Sequence, residues 1–158
     1  MKRSILVVLA ALTATACSTK YIGNTRIEDT DENRELMRLV EQYRRAVEDR
    51  DVHRILEMTS DYYFEDPGTP HDPTDDYDKD GLRERLEAAF GKVQDQRLAM
   101  DVRKITWDDQ ETTAFVDYRF VYRYQLDLPG ADEWREQSDL NRLEVRREGD
   151  AWKIASGL

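Results

Sequence analysis

Apolar positions recur at three- and four-residue spacing early in the chain: Leu36, Leu39, Val40, Tyr43, Ala46 and Val47 form one stripe among Glu and Arg. That period predicts an amphipathic helix from about residue 32, with the stripe turned to a core. Asp49-Arg50-Asp51 interrupts it, and Asp51 stands as the N-cap of a second, short helix carrying Ile55, Leu56 and Met58. Tyr62, Tyr63 and Phe64 read as a short strand closed by the turn Asp66-Pro67-Gly68. An acidic, proline-bearing loop runs on to Asp80, and residues 81–91 read as a helix with Leu82, Leu86, Ala89 and Phe90 on one face.

From Val93 the period becomes two. Ala114, Val116, Tyr118, Phe120, Tyr122, Tyr124, Leu126 and Leu128 alternate with a mostly polar set, so this strand has one buried and one wet face. Upstream, Leu98, Met100 and Val102 share one phase while Ile105 and Trp107 take the other, which predicts a bulge at Arg103-Lys104 that bends the sheet. Asn141, Leu143 and Val145 make a third strand. A turn through Glu148-Gly149-Asp150 leads to a last one with Trp152 and Ile154. Helices followed by long antiparallel strands predict an α+β fold, with the bent sheet wrapped as a cone around the first helix.

The opening MKRSILVVLAALTATAC changes the picture of where the chain resides. Two basic residues, an apolar run over residues 5–16 and small residues before the only cysteine make an export signal. The run is shorter than the ~20 residues needed to span a bilayer. TATAC resembles the lipobox of bacterial lipoproteins, with Ala14 where leucine is usual. That resemblance implies cleavage after residue 16, acylation of Cys17 and attachment to the cell envelope. Ser18 resembles the signal that sorts such proteins to the outer membrane in a Gram-negative host. Residues 17–31 then read as the lipidated cysteine and a tether, and residues 32–158 as one domain, for which 158 residues leave ample core. The net charge of −10 argues against nucleic acid as a partner.

The order of elements, with VEQYRRAVEDRDVHRILEMTSDYYFEDPG, KDGLRERLEAAF and EVRREGDAWKIAS, resembles the nuclear transport factor 2-like superfamily, which includes SnoaL-like proteins and ketosteroid isomerase. The resemblance implies the cone-shaped fold and two kinds of function. As an isomerase or dehydratase, the chain would use Asp66 as general base, Tyr43 as oxyanion donor and Asn141 as a second donor, abstracting a proton beside a carbonyl. As a binder, it would hold a small apolar ligand or an envelope protein partner without catalysis, with Tyr118, Phe120, Tyr122 and Tyr124 lining a pocket. The binder is the leading reading, and a homodimer is compatible with it.

Residues 76–87, DYDKDGLRERLE, also fit the calcium-loop pattern, with Asp76, Asp78, Asp80 and Glu87 as oxygen ligands and Gly81 at the turn. The same residues fit an acidic helix start capped by Asp80. HDPTD in place of an entering helix, and Arg83 where a hydrophobe would pair with a second loop, favour the helix start. No other cofactor is expected. His53 and His71 are the only histidines and Cys17 the only cysteine, so zinc has no ligand set.

Overall fold

A computed structural model describes residues 19–67, 74–127 and 133–158. The export segment, Cys17, Ser18, Gly68, His71 and Leu128 lie outside the described residues. The elements are α1 (Asp31–Glu48), α2 (Val52–Met58), β1 (Phe64–Glu65), β2 (Tyr77–Asp78), α3 (Lys79–Phe90), β3 (Val93–Trp107), β4 (Thr113–Leu126), β5 (Trp134–Glu148) and β6 (Ala151–Ser156).

Each helix begins at a side-chain cap. The Thr30 hydroxyl accepts from the Asn33 N–H at 3.1 Å, with Asp31 and Glu32 at the positive end of the α1 dipole. Asp51 caps α2 as the sequence suggests, accepting from Arg54 N at 2.9 Å. For α3 the cap is Asp78, not Asp80: its Oδ1 accepts from the N–H groups of Asp80 and Gly81 at 3.1 and 3.0 Å. The helix therefore starts two residues earlier than the position of Gly81 implies.

Strands β3-β4-β5-β6 form an antiparallel meander in that order, and β1-β2 pair separately. Both edge strands of the meander, β3 and β6, contact α1, so the sheet must curl around the helix. The register slips between Val102 and Lys104, where the change of hydrophobic phase predicts a bulge. Leu98 and Val102 are buried before the slip, and Ile105 and Trp107 pack on the same core after it. The closed end of the cone holds Leu36, Leu39 and Val40 against Ala114, Val116, Leu143, Val145 and Ile154. Beyond Tyr118, the inward residues of β4 become only half-buried, and the interior opens.

Two expectations need correction. Residues 20–29 are not a free tether. The Ile22 N–H donates to the Ile27 carbonyl at 2.9 Å and Asp29 N to Lys20 O at 2.8 Å, and the turn so closed pushes Ile27 into the core, 4% exposed. The third strand begins at Trp134 rather than near Asn141. All of residues 134–142 are exposed, so no alternation marks the strand's first half.

Candidate functional site

The open end of the cone encloses a cavity of about 240 Å³. Strand β4 supplies Tyr118, Phe120 and Tyr122, which share a face because they are two apart. β3 adds Leu98 and Met100, α1 adds Tyr43 and Val47, and α3 adds Leu86 and Phe90. Gln137 and Asn141 of β5, with Gly157 and Leu158 after β6, complete the wall. Among these residues no side chain carries a carboxylate, imidazole, ammonium or guanidinium group.

Backbone and side chain are tied together around this hollow. Gln96, 1% exposed, donates from Nε2 to the Val47 carbonyl at the end of α1 and accepts from the Tyr122 hydroxyl at 2.6 Å. Arg44 and Glu48, an ion pair at 2.7 Å on successive turns of α1, clasp the edge of β3: Arg44 Nη1 donates to the Leu98 carbonyl and Glu48 Oε1 accepts from Leu98 N. The floor is pinned by Glu65. Its Oε2 accepts from the Tyr63 hydroxyl at 2.8 Å and from Gly157 N at 2.5 Å, while the Tyr77 hydroxyl donates to Leu158 O at 2.9 Å.

Of the expected catalytic set, Tyr43 and Asn141 reach the cavity and Asp66 does not. Asp66 is exposed, next to Pro67 and away from the lining. On an extended segment alternate residues point opposite ways, so Tyr63 and Glu65 turn inward while Phe64 and Asp66 turn out. Tyr63 is 2% and Phe64 53% exposed, which fixes that phase. Reading the period in YYFED would have picked Glu65 as the carboxylate near the cavity; it supports the floor rather than lining the hollow. Asn141 is occupied, its Nδ2 lying 3.3 Å from the Tyr118 hydroxyl and 3.2 Å from Gly157 O, and its Oδ1 accepting from Arg142 N. Of the expected aromatic wall, Tyr124 lies outside the lining and stacks on Tyr122, ring centroids 5.1 Å apart.

Tyr43 is the site's open donor: its hydroxyl makes no hydrogen bond to any described residue. Burial, together with the nearby Tyr118, Tyr77 and Tyr122, holds its pKa far above the ordinary value. Burial likewise raises Tyr118 to about 12, partly offset by the Asn141 hydrogen bond. The phenols thus stay protonated at neutral pH and act as hydrogen-bond donors, not as bases.

The acidic stretch does not assemble as a cation site. No group of three or more His, Cys, Asp or Glu among the described residues is placed to hold a metal, so Asp76, Asp78, Asp80 and Glu87 are not brought together. Asp78 is engaged as the α3 cap. Gly81 is explained by packing, since a Cβ there would lie 2.7 Å from the Tyr77 Cβ.

No protein-family model matches the chain, and no curated protein does. Solved structures do. A conserved protein from Planctomyces limnophilus superposes with a TM-score of 0.67 at 12% identity, over 80% of this chain and 92% of that one. A ketosteroid isomerase-like protein from Erwinia carotovora atroseptica gives 0.65 at 16%, covering 81% and 94%. A nuclear transport factor 2-like superfamily protein from Salmonella enterica serovar Typhimurium gives 0.65 at 10%, covering 78% and 86%.

Proposed function

We propose, from the premise that this chain has the nuclear transport factor 2-like fold, that it is a lipid-anchored envelope protein that binds a small, neutral, largely apolar ligand without transforming it. The observation that supports this reading is the cavity's chemistry: apolar and aromatic walls, amides, and one unengaged phenol donor at Tyr43, with no side chain that would abstract a proton. A volume of about 240 Å³ matches roughly eight waters of the liquid, which suits a ligand of one or two rings. A charged ligand would meet no side-chain counter-charge there and would lose much of its hydration uncompensated. An aromatic ketone has the right shape, with its carbonyl oxygen accepting from Tyr43.

Acetophenone and ethylbenzene, which differ in that oxygen, test the reading by calorimetry. Tyr43→Phe weakens acetophenone by roughly 3- to 10-fold, the net worth of one hydrogen bond, and leaves ethylbenzene unchanged. Equal losses for both, or no binding of either, would sink it. Deuterium exchange at the acetophenone methyl group tests the absence of catalysis: exchange no faster than in buffer is expected. Acceleration abolished by Asp66→Asn would restore the enzyme reading.

Anchoring is supported by the signal over residues 1–16 and the position of Cys17. No described helix is long and apolar enough to cross a membrane, so attachment would rest on acyl chains, each buried CH₂ contributing about 0.8 kcal/mol. Radiolabelled palmitate is expected to be incorporated into the native chain and not into Cys17→Ser; no label in the native chain would sink the anchor.

A further inference from the structure

Strand β6 pairs only with residues 144–148 of β5, so among the described residues no strand covers the outer edge of β5 from residue 134 to 143. At the inner end of that stretch, Gly157 closes against the Arg142 carbonyl. Among the described residues nothing pairs with the edge of 134–140, which has no proline or bulge and pairs continuously with β4 on its other side. Such an edge is a template for another strand. The Leu140 and Arg142 N–H groups point away from β4, donating to Asp139 Oδ1 and Asn141 Oδ1 at 2.8 Å each, so the even-numbered residues turn their backbone groups to the edge. Glu136 and Ser138 share that phase.

The residues at this edge are self-complementary. In an antiparallel pairing of two copies, even positions must face even positions. A two-fold axis at Gln137 then sets Trp134 of one copy opposite Leu140 of the other, and Arg135 opposite Asp139, each twice. Trp134 and Leu140, 49% and 71% exposed, are among the few large exposed hydrophobics of the described residues and lie on the convex face. Arg135 and Asp139 lie on the concave face, as their neighbours Tyr124 and Phe120 require. Moving the axis to Ser138 would instead put Trp134 opposite Arg142 and Glu136 opposite Leu140. An axis at Glu136 would set Glu133 opposite Asp139. Only the Gln137 axis matches apolar with apolar and cation with anion.

We infer that the partner of this edge is a second copy of the chain, joined β5 to β5 about Gln137 so that two four-stranded sheets become one of eight. The Leu140 N–H passes from its own Asp139 to the Trp134 carbonyl opposite, and Asp139 turns to Arg135. About eight new backbone hydrogen bonds form in all. The inference stands independently of what the cavity holds. The contact is small, so association is weak, with a dissociation constant roughly in the micromolar range.

Sedimentation equilibrium of the full chain in density-matched detergent, across a range of concentrations, tests it. The native chain is expected in monomer–dimer exchange. Arg135→Asp alone and Asp139→Arg alone each weaken the dimer by about ten-fold or more by placing like charges opposite one another. The double exchange restores it to within about three-fold of native, because opposite charges face each other again. A monomer at every concentration overturns the inference. So does a dimer indifferent to the single reversals, or one the double exchange fails to rescue. The three variants change exposed side chains that do not line the cavity, and unchanged melting temperatures confirm that their folds are intact.

Discussion

Replacing Gly157 by alanine probes the closure of the cone most directly. Gly157 has φ +95°, and a Cβ built on it would lie 2.0 Å from the Arg142 carbonyl oxygen and 3.1 Å from the Leu143 Cα. Both are backbone atoms of β5, held by pairing with Asp117 and Val116 of β4, so neither can retreat without disturbing the ladder. The backbone conformation costs a non-glycine residue about 1–3 kcal/mol. Relieving the overlap costs about another 1–3 kcal/mol. Together they predict a loss of roughly 4 kcal/mol, which moves the urea midpoint down by about 2 M for a slope near 2 kcal/mol per M. Gly149→Ala is the control, because it shares a positive φ, +61°, but has no atom within 4 Å of the added Cβ. It should cost only about 1–2 kcal/mol. The difference between the two variants isolates the contact with β5. Should Gly157→Ala fall within about 0.5 kcal/mol of the control, which is within ordinary surface-substitution scatter, residues 157–158 do not pack on that strand and the floor of the cavity is wrong.

Two further outcomes follow from buried polar groups. Gln96→Leu leaves the Val47 carbonyl and the Tyr122 hydroxyl without their partner, and a loss of about 1–3 kcal/mol is expected in urea unfolding; a variant as stable as native would show that Gln96 does not join α1 to β4. On the alkaline side, the folded state holds the Tyr118 proton more tightly than the unfolded chain, with a pKa of about 12 against the ordinary 10.0. That contribution is intact below pH 10 and is lost as pH rises from 10 to about 12. Phenolate absorbance should therefore rise together with unfolding, and Tyr118→Phe should soften the decline; ionisation well ahead of unfolding would mean that the phenols are wet.

Strand β4 could be read residue by residue, because a strand buried on one face writes its orientation into an alternating pattern. The bulge was legible for the same reason, as a reversal of phase between Val102 and Ile105. The turn over residues 20–29 was not, since one buried residue, Ile27, has no period to announce it. The early half of β5 was hidden by the opposite circumstance: exposed on both faces, it had no alternation to display. That Asp66 lies away from the cavity was not legible from the motif, but the alternation of its own segment shows it by putting Glu65 and Tyr63 on the inner side. The occupied state of Asn141 was beyond reach, because it depends on Gly157, distant in sequence and brought close only when the sheet curls.

Were Cys17 acylated as proposed, the folded turn beginning at Lys20 would shorten the leash. Three residues, fully extended, reach about 10 Å, where a free run to Asp31 would reach almost 50 Å. On the proposed lipid anchor, a body so tethered would ride against the headgroups and pivot over a narrow cone of angles. Whatever it meets would then have to come to the membrane surface.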